Sequence, residues 1–193
     1  GTHRAGYTSV FTDPTIETEV GAFRMRDASM REEVSLGLQP NFQDRFFHNK
    51  VTFWLENISK NYFQTFSGDF LFQNGDPNLR HSIKGIGQFY KVESITLILG
   101  LILFFTSKFK KEIKILIAFW LIAGALPASL TRDGGNHATR LFLILPPLVF
   151  LIAYGICETL RILKPKLRIL FLTSYILFFT FNKITIEKPT KKE

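Results

Sequence analysis

The chain has 193 residues, 46% of them hydrophobic, and a formal net charge of +8. Its apolar runs lie mostly after Tyr90, and residues 1–90 hold nine Lys and Arg against ten Asp and Glu while residues 91–193 hold fifteen against six, so the positive charge belongs to the apolar half. That pairing excludes an ordinary soluble globule and favours membrane spans flanked by cations over a nucleic-acid surface, for which the sequence has no recognition motif; the single cysteine, Cys157, excludes a disulfide framework within the chain.

The chain opens at Gly1 without a methionine, and its first ninety residues contain neither a signal peptide nor a spanning run. It therefore reads as part of a longer protein. Tyr7 to Phe11 (YTSVF) is rich in β-branched and aromatic residues and predicts a short strand. Asp13-Pro14 predicts a helix start, because aspartate caps free amides, proline fits the first helical position, and Glu17 and Glu19 suit the positive end of the helix dipole. This charged helix runs to about Leu36, and residues 37–40 end it.

Between about Arg45 and Phe66, apolar Val51, Trp54, Leu55, Ile58, Tyr62 and Phe66 recur at intervals of three and four, with Lys50, Glu56, Asn57 and Lys60 opposite. This is an amphipathic helix, either packed on its own domain or lying on a membrane interface, where Trp and Phe suit the headgroup boundary. After it, FSGDFLFQNGDPNLRHS is aromatic and glycine-rich, with a turn at Asn74-Gly75-Asp76-Pro77. It serves as a lid or as a connector.

Residues 87–107, 113–130, 141–157 and 167–181 are long and almost uncharged, the last being short for a bilayer. The expected architecture is a mainly α, multi-pass membrane protein. A mixed, mostly helical extracytoplasmic segment, residues 1–86, precedes a transmembrane region of about four helices, residues 87–181, and a polar tail, residues 182–193. Pro146-Pro147 falls inside the third run and predicts a kink there. Lys108, Lys110, Lys111 and Lys114 cluster between the first two runs, and Arg161, Lys164, Lys166 and Arg168 between the last two. Under the positive-inside rule both connections are cytoplasmic, which puts residues 1–86, the loop between the second and third runs, and the tail on the outer face of the cytoplasmic (inner) membrane.

That loop, TRDGGNHATR from Thr131 to Arg140, is the main candidate site. Arg132 and Asp133 follow the second run, and His137 and Arg140 stand three apart, close enough to share a helical face if the third helix begins by Asn136. Arginine offers a planar fork to phosphate oxygens, histidine a further donor, and a helix N-terminus free amides, so Arg132, His137 and Arg140 could clamp an anionic headgroup. Alternatively both arginines snorkel to the interface while Asp133 pairs with one of them. Two points favour a ligand. The positive charge lies on the face where the topology rule does not ask for it, and Gly134-Gly135 lets a ligand approach the backbone.

Other chemistry is sparse. His3, His48 and His81 have no metal-ligand spacing, so no metal site is expected from this chain alone, and no nucleophile elbow or nucleotide-binding loop is present. Asp69, Asp76 and Asp133 are the acidic candidates for acid–base work, each read first as a turn or capping residue.

The strings RAGYTSVFTDP, NYFQTFSGDFLFQNGDPNLRHSIKGIGQFYKVESITLILGLILFF and ALPASLTRDGGNHATRLFLILPPLVFLIAYG together resemble the second half of bacterial membrane glycosyltransferases of the C-type fold. These are multi-spanning enzymes related to protein O-mannosyltransferases and aminoarabinose transferases. The resemblance covers nearly all of the chain and is most specific at FLFQNGDPNLRH and HATR. It implies transfer of a sugar from a polyprenyl-phosphate carrier to an acceptor on the outer face. Arg132, His137 and Arg140 would then hold the carrier phosphate, and Asp133, Asn78, Arg80 and His81 would line the same outer cavity. In that family the principal catalytic acid lies in an earlier outer loop, which this chain lacks. No cofactor beyond the lipid-linked sugar donor is identified; the implied partners are membrane lipid, the polyprenyl-phosphate sugar and the missing N-terminal part of the same protein. The alternative is a non-enzymatic membrane subunit that binds or transports a lipid-linked anionic substrate.

Overall fold

In a computed structural model, the structure describes residues 9–30, 40–132 and 134–187. The chain is mainly helical, and no strand occurs among the described residues. It divides into two compact units, residues 1–65 with 126–135, and residues 66–125 with 136–193.

The first unit begins where the sequence places a helix start. Asp13 accepts the backbone N–H of Thr15 at 2.9 Å, and helix α1, Ile16–Met30, follows with Glu17 and Glu19 in its first turn. The expected continuation to Leu36 falls outside the described residues. So do Tyr7 and Thr8 of the expected strand, and its described part is not a strand. Ser9 makes one isolated antiparallel bridge with Thr131, and Val10 donates to the Leu130 carbonyl at 3.2 Å. The chain turns at once into Asp13-Pro14, leaving no length for a ladder.

The expected helix from Arg45 to Phe66 is two helices, α2, Phe42–Phe47, and α3, Lys50–Thr65. The break has a local cause at each edge. Asn41 and Asp44 form a reciprocal capping box that starts α2, and Asn49 starts α3 by accepting the N–H groups of Val51 and Thr52 at 2.8 and 3.0 Å. The residues α3 buries are Asn61 and Thr65, while Val51 and Leu55 of the apolar stripe are exposed. Helix α3 packs on the short helix α6, Leu126–Ser129, and on the backbone after it. A backbone surface presents carbonyls, and a polar residue must meet them. Asn61 does so, donating to the carbonyls of Thr131 at 2.6 Å and Arg132 at 3.1 Å.

The second unit contains a π-helical turn at Asp69–Gln73, then α4, Lys91–Thr106, and α5, Lys111–Gly124. A 3₁₀ turn at Ala138–Leu143 leads into α7, Leu145–Ile162, and α8, Pro165–Glu187. Its main packing is α4 against α7, built on small residues. A Cβ placed on Gly100 would collide with the Leu151 carbonyl oxygen, and one on Gly155 with that of Thr96, so the two backbones touch. Phe104, fully buried, closes this contact with its ring edge-on to Phe150 and Tyr154, at centroid distances of 5.5 and 5.7 Å.

Helices occupy all four expected runs, with shifted limits. The third starts at Leu145, so Pro146 and Pro147 lie in its first turn. They begin the helix and do not kink it, because proline is tolerated where amides have no helical acceptor. Two helical stretches are long and apolar enough to cross a membrane, Lys111–Ser129 and Leu145–Ile162, and less than a third of each is buried. Helix α4 has 16 residues, which at about 1.5 Å per residue falls short of a hydrocarbon core of about 30 Å. The cations between helices also have local work. Lys114 donates to the carbonyls of Phe105 and Ser107 at the C-terminal end of α4, and Arg168 donates to those of Leu163 and Arg161 at the C-terminal end of α7.

Candidate functional site

The loop Thr131–Arg140 is shared between the two units, its first part in one and its last in the other. In the first unit, the Arg132 guanidinium bonds to Asp13, Thr15 and Glu19. Asp13 is buried and Glu19 partly exposed, so the arginine's fork is committed to two carboxylates that anchor the start of α1. Arg132 thus has a structural occupation at the start of α1. Asp133 lies outside the described residues.

Gly134 and Gly135 face protein, not an open surface. A Cβ on Gly134 would run into the Ala128 carbonyl and the Thr131 hydroxyl, and one on Gly135 would sit 2.7–2.8 Å from Gln64 and Asn61 of α3. These glycines let the loop lie on helix backbone; the expectation that they admit a ligand is corrected.

In the second unit, His137 and Arg140 do not share an α-helical face, since the α-helix begins only at Leu145. They lie three apart around a tighter 3₁₀ turn, with the Arg140 N–H donating to the His137 carbonyl at 3.0 Å. The group that meets His137 and the start of this turn is Asp76. Gly75, at φ +68°, turns the chain sharply just before it, and a Cβ there would lie 2.5 Å from the Ile86 carbonyl oxygen. The Asp76 carboxylate is consequently buried. One oxygen accepts the Asn78 N–H at 2.8 Å; the other accepts the Ala138 N–H at 2.8 Å and lies 3.4 Å from His137 Nδ1.

His81 joins the same group, its ring centroid 5.3 Å from that of His137 and tilted by 42°. Its N–H donates to the Asn78 carbonyl at 2.9 Å, and the Asn78 side chain accepts the Arg80 N–H at 3.1 Å. Asn78, Arg80 and His81 are exposed, His137 and Arg140 half-buried. The structure therefore gathers His137, Arg140, Asn78, Arg80 and His81 in the one unit that also carries Asp76.

Asp76 had been legible as a turn residue, which it is. Its second role depends on the 3₁₀ turn coming to its free oxygen, and no local pattern announces that. The opposite unit shows the same chemistry in another form, with His48 Nε2 held 2.6 Å from Asp27 and the His48 ring stacked on Phe23. Among the described residues no group of three or more His, Cys, Asp or Glu is arranged to hold a metal ion.

Compared with known proteins, the chain matches no family, no curated protein and no solved structure.

Proposed function

We propose that the chain is the membrane-embedded part of a glycosyltransferase that takes a sugar from a polyprenyl-phosphate carrier and passes it to an acceptor on the outer face of the cytoplasmic membrane. The observation that carries this reading is the polar group Asp76, His81 and His137, brought together at the turn that leads into a span-length apolar helix of which less than a third is buried. Donors of this kind at a lipid boundary suit a ligand with an anionic head and an apolar tail.

On this reading all four helices α4, α5, α7 and α8 lie in the bilayer, with lysine- and arginine-rich connections inside and Ala138–Leu143 at the outer surface. His137 and Arg140 hold the phosphate, where negative charge grows as the sugar–phosphate bond breaks. Arg132 is left out of the clamp, because both ends of its guanidinium are already held by Asp13, Thr15 and Glu19. The catalytic acid belongs to an upstream outer loop.

Sugar transfer from a polyprenyl-phosphate donor by the complete protein, reconstituted in liposomes, tests the proposal. Arg140→Ala is expected to lower kcat/KM by about 10²–10³, as loss of one transition-state donor does. Transfer at the wild-type rate with unchanged carrier dependence would remove the clamp; absence of transfer by the wild type would remove the enzyme and favour a binding or transport subunit.

A further inference from the structure

We propose that the exposed face of α2 and of the first half of α3 is a lipid-docking surface, which rests on the outer face of the bilayer. The inference rests on the membrane part of the reading above and is independent of sugar transfer.

The sequence leaves two places for the apolar stripe of residues 45–66, the core of its own domain or a membrane interface. The structure removes the first for the leading half of α3. That helix buries Asn61 and Thr65, while Trp54, Ile58 and Tyr62 are half-buried and Val51 and Leu55 are exposed. Helix α2 adds to the same exposed surface. Phe42, Phe46, Phe47, Val51 and Leu55 are each 56–80% exposed, and only His48 and Asn49 separate the two helices. The α2 rings lie against one another, Phe42 stacked on Phe46 at 6.3 Å between centroids and Phe46 edge-on to Phe47 at 5.5 Å. Rings so placed form a patch and not a scatter of exposed residues, and a patch of this kind marks an interaction surface.

Continuity with a membrane span names the occupant. The span-length stretch Lys111–Ser129 ends in α6, and α6 is the element on which α3 packs. Helix α3 has 16 residues, a length of about 24 Å, so Val51 and Leu55 stand within one helix length of the end of an apolar span. A bilayer reached through a covalent tether acts at a high effective concentration, which a partner arriving by diffusion lacks. The chemistry of the face agrees. Phenylalanine and leucine enter the acyl boundary, while Arg45, exposed on α2, is long enough to leave its charge among the headgroups. A protein partner would lean most on Trp, Tyr and Arg, yet Trp54 is turned inward, edge-on to Phe11 with its indole nitrogen buried.

Site-directed spin labelling of the full chain in phosphatidylcholine nanodiscs tests the docking, with Cys157 replaced by serine. Single cysteines at Phe46, Val51 and Leu55 report on the face, one at Lys60 on the opposite side of α3, and one at Phe119, exposed on α5, on the span. The readout is accessibility to oxygen, which concentrates in lipid, relative to a water-soluble nickel chelate. Labels at 46, 51 and 55 are expected to give ratios close to that at 119 and well above that at 60. Phe42→Ser combined with Phe46→Ser, both at exposed positions where folding has little at stake, is expected to lower the ratio at 55 toward the value at 60.

Ratios at 46, 51 and 55 equal to that at 60, with 119 in lipid, would overturn the docking and leave the membrane reading standing. A label at 119 open to the chelate would overturn the membrane reading and this face with it. Shielding of the face from both reagents would also overturn the proposal, assigning the face to a second copy if the shielding disappears in discs holding one chain and to another part of a longer protein if it persists. Lipid-facing labels in a protein that transfers no sugar uphold the docking and refute the transferase reading alone.

Discussion

The two units solve the same problem, bringing backbones close, with opposite chemistry. In the first, the loop after α6 lies on α3 through polar bonds from Asn61 and is tied to the start of α1 by Arg132, Asp13 and Glu19. In the second, α4 and α7 meet through Gly100 and Gly155, with aromatic rings closing the contact and large apolar side chains such as Ile98, Ile102, Val149 and Phe150 left exposed. Charge networks on carbonyl-rich surfaces suit an aqueous setting. Small residues between helices with apolar outer faces suit lipid, where burial of apolar surface gives no drive for association and close van der Waals packing must supply it. The difference is the one expected if the first unit is built for water and the second, as proposed, for lipid.

Substitution at the α4–α7 contact should have the largest effect. Gly100→Ala puts a methyl into the Leu151 carbonyl, and backbone cannot yield as a side chain does. The cost should exceed the roughly 1–3 kcal/mol of ordinary overpacking, read as a collapse of the thermal transition in detergent. A variant as stable as the wild type would contradict the packing described.

Next comes Arg132→Ala, which leaves the buried Asp13 carboxylate without its main counter-charge. An expected loss on the order of 3 kcal/mol follows, at the low end for a broken buried pair because Arg132 is a third exposed to solvent. Adding Asp13→Asn should recover part of it in a double-mutant cycle, and additivity of the two changes would deny the pairing.

Gly75→Ala is smaller in energy, about 1–2 kcal/mol for a left-handed backbone, but it also drives a methyl toward the Ile86 carbonyl and displaces Asp76. Loss of the His81–His137 proximity, measured by ring-proton cross-relaxation, is its expected signature. The smallest effect is a pH dependence in the first unit. The Lys50 ammonium, by hydrogen bond and by charge, holds the Glu17 carboxyl below its ordinary value of 4.5. A lowered folded pKa gives stability that is present above 4.5 and lost as the pH falls through the folded value. Lys50→Met should flatten that acid limb in urea unfolding, and an unchanged limb would show the pair contributes nothing.

Much of the helical plan was legible in the residues. Asp13-Pro14 announces α1, and the four apolar runs each hold a helix, because capping and hydrophobic continuity act within a few residues. The splitting of the 45–66 helix turns on Asn49, a strong start signal hidden inside a good apolar period. At the site, the sequence offered Arg132, His137 and Arg140 as one clamp because they are neighbours in the chain. Arg132 instead answers to Asp13 and Glu19, and His137 to Asp76 and His81. Partners that far apart in sequence leave no spacing to read.

The claim on which the rest depends is that the helices of the second unit cross a bilayer with the Ala138–Leu143 turn outside. Thiol labelling in intact cells decides it, with Cys157 replaced by serine and single cysteines at Thr139 and Lys110, both exposed positions. An impermeant reagent should modify the cysteine at 139 in intact cells and the one at 110 only after permeabilisation. The reverse pattern, or equal labelling of both in intact cells, would contradict the membrane arrangement and the phosphate site with it.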